Sequence, residues 1–224
     1  MPTPKSHTML PAKLEQERVV HWYRLIAPLH DAFAALVESR AHRAALNSAR
    51  VRDGESILEV AVGTGLSFVH LVQQNRCGRT VGIDKTPAML RRAKKRIART
   101  VATDQDCQLI VGDAFALPFP SASFDLLFSS YMLDMMKASD MVPLLAEFRR
   151  VLRPNGRAVL LSMSPPERTS EAIWETLYRI HPFFLGGCRG VSLSGPAREA
   201  GFSIDDQYRV EQFGFPSEVL CLCN

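Results

Sequence analysis

The stretch Ser56-Ile-Leu-Glu-Val-Ala-Val-Gly-Thr-Gly-Leu-Ser67 constrains the fold of this chain more than any other. Ser56 to Val60 has the apolar, β-rich makeup of a buried strand. Gly63 and Gly65 interrupt the run, and Leu66 to Gln74 resumes at helical spacing. Strand, glycine turn and helix in that order build a loop able to cradle a nucleotide. Glycine lets the backbone approach a ligand closely, and a helix N-terminus presents unpaired N–H groups. Glycine pairs also occur at strand-to-helix turns that bind nothing, so this stretch by itself leaves both readings open.

Thr80-Val-Gly-Ile-Asp84 reads as a second strand ending in an acid, 25 residues after Glu59. In a doubly wound sheet a carboxylate at this point meets the ribose hydroxyls of an adenosine. Two phosphate-binding alternatives fit less well. The chain has no Gly-Lys-Ser/Thr at the loop, which excludes a P-loop. The dinucleotide fingerprint asks for a small residue three positions after Gly65. Phe68 stands there, too bulky for close helix–strand packing.

With these residues in view, Glu59-Val-Ala-Val-Gly-Thr-Gly65 resembles the first motif of class I S-adenosylmethionine-dependent methyltransferases, acid-x-Gly-x-Gly-x-Gly. Three further blocks resemble that family in the same order. They are Gly82-Ile-Asp84 with Pro87-Ala-Met-Leu90, Gly112-Asp-Ala114 with Phe124-Asp-Leu126, and Arg150-Val-Leu-Arg-Pro-Asn-Gly156. Together they span about residues 50–165. The chain departs at Ala61, where the family more often has glycine. Alanine is tolerable there if the residue keeps a negative φ.

The resemblance implies an α/β fold: a doubly wound, mostly parallel seven-stranded sheet with helices on both faces and an N-terminal helical cap. It implies S-adenosyl-L-methionine as cofactor and S-adenosyl-L-homocysteine as product. By the same resemblance Glu59, Ala61, Gly63 and Gly65 cradle the methionine and ribose side. Asp84, Asp113 and Ala114 serve ribose and adenine, and Lys85, Met89 and Ser129 adjoin them. Asp113 read on its own is equally a turn or N-cap residue. Trp22-Tyr-Arg-Leu-Ile-Ala-Pro-Leu-His-Asp31 resembles the entry segment of the quinone-biosynthesis and bacterial phospholipid N-methyltransferase branches, with His30 where those have tyrosine. An ordinary packing helix is the alternative for this segment. Tyr23 would offer its ring face to the sulfonium.

Composition bounds the rest. The chain has 224 residues and 46% apolar residues, enough for one α/β domain with a sizeable core. Residues 1–12 are expected to form a flexible arm and 13–224 a single domain. Within it, 13–50 form the helical cap, 51–165 the cofactor core, and 166–224 the acceptor side with the last strands, Ser203 to Gln212 and Glu218 to Cys223. No apolar run approaches the ~20 residues of a membrane span, and the N-terminus lacks a signal-peptide core. A soluble, cytoplasmic protein is expected. The five cysteines form no Cys-x-x-Cys pair, so no metal site is expected.

The net charge of +4 is concentrated in Arg91-Arg-Ala-Lys-Lys-Arg-Ile-Ala-Arg99, which carries six cations. Such a run is a solvated helix face or a patch drawn to an anionic membrane. Aromatics are not interleaved with it, and nucleic acid is not expected. The oligomeric state is not legible.

Methyl transfer needs little acid catalysis, because the sulfonium's positive charge disperses as sulfur leaves. It needs positioning, a closed mouth and, for some acceptors, a base. His30 is the first candidate base, since imidazole titrates near neutrality; Tyr131 and Asp134, at the mouth of the fourth strand, follow. The apolar stripe with Trp22 and Tyr23 and the run Pro182-Phe-Phe-Leu185 point to a lipophilic acceptor, such as a phospholipid amine or a prenylated ring. A soluble acceptor, a binding protein without turnover, and an enzyme using this cofactor for other chemistry are the alternatives.

Overall fold

The computed structural model describes residues 38–101, 105–168, 171–180 and 187–224. The expected arm and helix over 1–37, with Trp22, Tyr23 and His30, lie outside the described residues. So does the 182–185 segment.

Strands β1 (Ser56–Val60), β2 (Arg79–Asp84), β3 (Cys107–Val111), β4 (Phe124–Ser130) and β5 (Leu152–Met163) are linked through helices α1 (Ser39–Ser48, ahead of β1), α2 (Leu66–Gln74), α3 (Pro87–Thr100) and α4 (Ala138–Val151). Helices α5 (Ala172–Ile180) and α6 (Ser194–Glu199) precede β6 (Ser203–Gln212) and β7 (Phe215–Cys223). The seven-stranded sheet has the order β3-β2-β1-β4-β5-β7-β6. The β1–β5 pairings are parallel. Only β7 runs against its neighbours, between β5 and β6. The strand order reverses between β1 and β4, and ligands of such sheets sit beyond the carboxyl ends of the strands at that point.

The near-continuous apolar runs of β1 and β4 are what a strand covered on both faces requires. Side chains alternate between faces, so Leu58 and Val60 join Met141, Leu144, Leu145 and Phe148 of α4 in one core. Ile57, Leu126 and Phe128 turn the other way and pack on Ala41, Ala45 and Leu46 of α1. Glu59 therefore lies on the α1 side of the sheet. Arg157 fastens α1 there: its guanidinium donates to Ala49 O (2.8 Å) and Arg50 O (2.9 Å) at the end of α1, and to both oxygens of Glu55 (2.8 Å each).

Phe68, which argued against a dinucleotide site, is fully buried. Its room comes from the strand: a Cβ on Gly82 would lie 2.8 Å from the Phe68 ring and 2.6 Å from a Val62 methyl. The small residue that lets α2 approach the sheet stands on β2 instead of on the helix. Thr86 holds the N-cap position of α3 ahead of Pro87, but its side chain makes no capping hydrogen bond. The amphipathic α3 buries Met89, Leu90 and Ala93 and leaves Arg91, Lys94, Lys95 and Arg99 exposed. Among the described residues, no helix is long and apolar enough to cross a membrane.

Candidate active site

The carboxyl ends of β1, β2 and β4 open into one cavity of about 190 Å³. Its floor is the loop that follows β1. Three of its residues have left-handed backbone: Ala61 (φ 62°), Gly63 (φ 56°) and Gly65 (φ 83°). The expected negative φ at Ala61 is thus corrected. The chain turns there so that Ala61 and Val62 both donate N–H to Ile83 O (2.8 and 3.2 Å), and that turn needs a left-handed residue. Glycine adopts it freely, whereas alanine carries strain of ~1–2 kcal/mol. At Gly63 the requirement is also spatial: the position lines the cavity, and a Cβ built there meets no protein atom within 4 Å. The space it would enter is open cavity.

Asp84 closes the β2 end. Its carboxylate accepts the N–H groups of Gly63 and Thr86, each at 2.7 Å, which locks the glycine loop to β2. Burial raises the Asp84 pKa, and those two N–H bonds oppose the rise. Asp113, beyond β3, accepts the Phe115 N–H (3.0 Å) and pairs with Lys85 (3.1 Å). The Phe115 N–H chiefly, with help from Lys85, lowers its pKa. Asp113 thus sits in a turn and lines the cavity. Ala114, Lys85 and Met89 also line the cavity.

Glu59 is 1% exposed, and its Oε2 has no hydrogen-bond partner. Desolvation, with Asp84 adding like-charge repulsion, pushes its pKa well above the usual carboxylate range. A buried acid without a hydrogen-bond donor at the cavity wall suits a cationic group. Together with the open space at Gly63, it fits a ligand that carries an ammonium and a sulfonium.

Strand alternation decides which serine faces the site. Ser129 was the expected one, but it is fully buried on the strand face away from α1 and does not line the cavity. Ser130, one residue on, points to the α1 side and does. Tyr131 lines the cavity too. Its ring meets His42 edge-on (5.4 Å between centroids), and its hydroxyl is shared with Ser217 Oγ (2.7 Å). Burial raises its pKa well above the usual phenol value, so the group stays neutral.

Asp134 lies away from the cavity. Its Oδ2 accepts the Met163 N–H (3.0 Å), and its backbone carbonyl receives the Arg189 guanidinium (2.6 Å). Arg189 also donates to Met136 O (2.6 Å). Burial pushes the Asp134 pKa up to about 7. This pair fastens the loop after β4 to the segment before α6, which is a structural task. His30 and Tyr23 lie outside the described residues.

Sequence reasoning passed over Glu38, His42 and Ser67, and the methionines Met132, Met135 and Met136, all of which line the cavity. Glu38 and His42 sit one helical turn apart, and that acid–histidine spacing was the available signal. The methionines follow β4 in a stretch read only for its tyrosine and acid.

Comparison with known proteins agrees with this geometry. A methyltransferase domain family matches residues 57–156. The demethylmenaquinone methyltransferase of Thermus thermophilus is 32% identical over 168 residues, covering 72% of this chain and 74% of that protein. Among solved structures, the [4+2]-cyclase SpnF superposes with a TM-score of 0.75 at 16% identity, covering 97% of this chain and 99% of the other. The N-methyltransferase NodS of Bradyrhizobium japonicum, in complex with S-adenosyl-L-homocysteine, superposes with a TM-score of 0.65 at 16% identity, covering 84% and 87%. At such identity these two speak for the fold alone. The chain belongs to the class I S-adenosylmethionine-dependent methyltransferases, near their quinone-biosynthesis branch.

Proposed function

We propose that this enzyme methylates the ring of a prenylated quinone in its reduced, dihydroxy form. The observation that carries the reading is the 32% identity, over most of both chains, with a demethylmenaquinone methyltransferase. The cavity supports it, since Phe115, Met132, Met135 and Met136 give the acceptor end a soft, apolar lining. The reduced ring is chosen on chemical grounds. When bound, S-adenosylmethionine supplies an electrophilic methyl group, and an electron-poor quinone ring is a poor partner for it.

The roles of the chain's own residues follow. Glu59 takes the ammonium of the methionine moiety and so regains a partner for its buried carboxylate. Asp84, with its two oxygens held by the Gly63 and Thr86 N–H groups, presents its remaining lone pairs to the ribose hydroxyls. Asp113, Ala114 and Lys85 border the adenine, and Met89 closes its edge. Ala61, Gly63 and Gly65 keep the loop low enough for the ligand to sit on it. Positioning in this water-poor cavity supplies most of the acceleration.

A prenyl tail keeps such an acceptor in a bilayer, so the enzyme has to meet it there. The exposed cations of α3 suit that task, each adding up to ~1 kcal/mol at an anionic surface. The test incubates the purified protein with S-adenosylmethionine and chemically reduced demethylmenaquinone in anionic or neutral vesicles. Mass spectrometry should find the C-methylated ring with stoichiometric S-adenosylhomocysteine, faster on anionic vesicles at low salt. Turnover only on water-soluble amines or hydroxyls would overturn the reading. Rates unmoved by charge reversal at Arg91, Arg92 and Lys95 would remove the surface role.

A further inference from the structure

Four groups on three different elements meet at the α1 wall of the cavity. Glu38 stands at the start of α1 and is 3% exposed. Its Oε2 has no hydrogen-bond partner and lies 3.6 Å from His42 Nε2. The other ring nitrogen, Nδ1, is 3.1 Å from Ser67 Oγ in the first turn of α2. Tyr131, from the loop after β4, stacks its edge on the imidazole. All four line the same cavity as the glycine loop. Acid, imidazole and hydroxyl are thus strung in one line that ends at the cofactor cradle.

We propose that Ser67 and His42 form the proton relay that activates the acceptor, with Glu38 as the anion that stabilises the imidazolium. This rests on the reading above, in which the acceptor carries a ring hydroxyl. With Nε2–H turned towards Glu38, Nδ1 is left to accept the Ser67 hydroxyl. As the acceptor's O–H proton passes to Ser67 Oγ, the Ser67 proton passes to His42 Nδ1. The charge left on the ring oxygen pushes electron density to the ring carbon. That carbon's electron pair forms the bond to the methyl group, and the carbon–sulfur pair leaves on sulfur as a neutral thioether. The ring then loses its own C–H proton to water, while the relay returns its proton to the ring oxygen. One proton is released overall, which balances the loss of the sulfonium charge.

Physical chemistry favours the arrangement. A buried carboxylate without a donor is costly, and an imidazolium beside it removes the cost; the same logic holds an acid behind the histidine of hydrolytic triads. The other ionisable groups lining the cavity are Glu59 from β1, Asp84 and Lys85 at the end of β2, Asp113 after β3, and Tyr131. Tyr131 is held neutral by burial and bonded to Ser217, so it does not compete for the proton.

The test has two arms on the full-length protein. In the first, ¹⁵N-histidine NMR reads which ring nitrogen of His42 carries the proton with S-adenosylhomocysteine bound. The wild type should hold the Nε2–H tautomer, and Glu38→Gln should weaken that preference. An unchanged tautomer in Glu38→Gln would overturn the pairing. In the second arm, single turnover on reduced demethylmenaquinone should fall about 100-fold in His42→Gln and in Ser67→Ala, the usual worth of a positioned base. The acidic limb of the pH–rate profile should vanish in His42→Gln, while calorimetry shows S-adenosylhomocysteine affinity within about twofold of wild type. His42→Asn serves as the second variant if His42→Gln melts early. A wild-type rate and profile in these variants would overturn the relay. If the wild type binds cofactor but leaves the reduced quinone unmethylated, the acceptor assignment fails. The relay then stands or falls on the tautomer measurement.

Discussion

Glu59→Gln is expected to raise the stability of the cofactor-free protein and to weaken its binding of S-adenosylmethionine. The side chain is buried on the α1 face of β1, with Oε2 unpaired and Asp84 nearby as a second negative group. Its folded pKa lies well above the ordinary 4.5. Below 4.5 the carboxyl is neutral in both the folded and the unfolded chain. As pH rises past 4.5 the unfolded chain ionises first, and stability is lost progressively until pH passes the raised folded value. At pH 8 the cofactor-free fold therefore bears the cost of a buried acid that the unfolded chain ionises freely, ~1–3 kcal/mol or more. Glutamine keeps the size and removes the charge.

At about 2–4 °C per kcal/mol for a chain of this length, the cofactor-free variant should melt roughly 2–12 °C above wild type at pH 8. The gap should close as pH falls towards 4.5, where the carboxyl becomes neutral in both states. Binding should run the other way. Losing a charge-assisted contact to the cofactor's ammonium costs about 1.5–3 kcal/mol, or roughly 10- to 150-fold in affinity. Saturating cofactor should then narrow or reverse the melting gap. The assay is thermal unfolding from pH 5 to 8.5 with and without S-adenosylmethionine, together with calorimetric titration. A melting difference that ignores pH, or equal affinity in the two proteins, would refute the argument.

Three further outcomes are expected. Ala61→Gly relieves left-handed strain of ~1–2 kcal/mol and costs ~0.4–1 kcal/mol through the unfolded chain, so melting should rise by about 2 °C, whereas Ala45→Gly, inside α1, should lower stability by about 1 kcal/mol. Asp84→Asn should weaken S-adenosylmethionine binding by ~1.5–3 kcal/mol in calorimetry, and Gly63→Val should abolish it by filling the ligand's space while the protein still folds. Arg189→Met removes the guanidinium from the Asp134 and Met136 carbonyls, so chemical denaturation should show a loss of about 3 kcal/mol, with cofactor binding changed far less.

The glycine-loop side of the cavity was legible in the sequence because backbone demands wrote it there. A strand, two glycines and a helix start fix the turn, and the acid at the end of β2 holds it through the Gly63 N–H. The same local reading stopped short wherever the outcome turned on phase or on distant partners. Ser129 and Ser130 are equally plausible on paper. Which one faces the cavity depends on the register of β4 against β1, where Val60 pairs with Ser129, and on α1 covering that face. Ala61 looked harmless because nothing in a letter string states that two consecutive N–H groups must reach one carbonyl of β2.

Asp134 and His42 differ in their surroundings for a related reason. Both are ionisable residues close to a strand end or a helix start, and burial alone does not say what either side chain contacts. The difference lies in the partners each side chain is given. Asp134 spends its carboxylate on a backbone N–H of β5 and its carbonyl on Arg189, so its protonation is tied to holding a loop. His42 has one nitrogen towards an unpaired carboxylate and the other towards a cavity-lining hydroxyl, contacts with α2 and the β4 loop that no local pattern links to it. Three segments separated by tens of residues converge there because α1 lies flat on the sheet face that also carries Glu59. Arg157, far along the chain, is what holds α1 down, through the two carbonyls at its end. The acceptor side of the site is thus a product of packing between elements, and it becomes readable only once the sheet order is known.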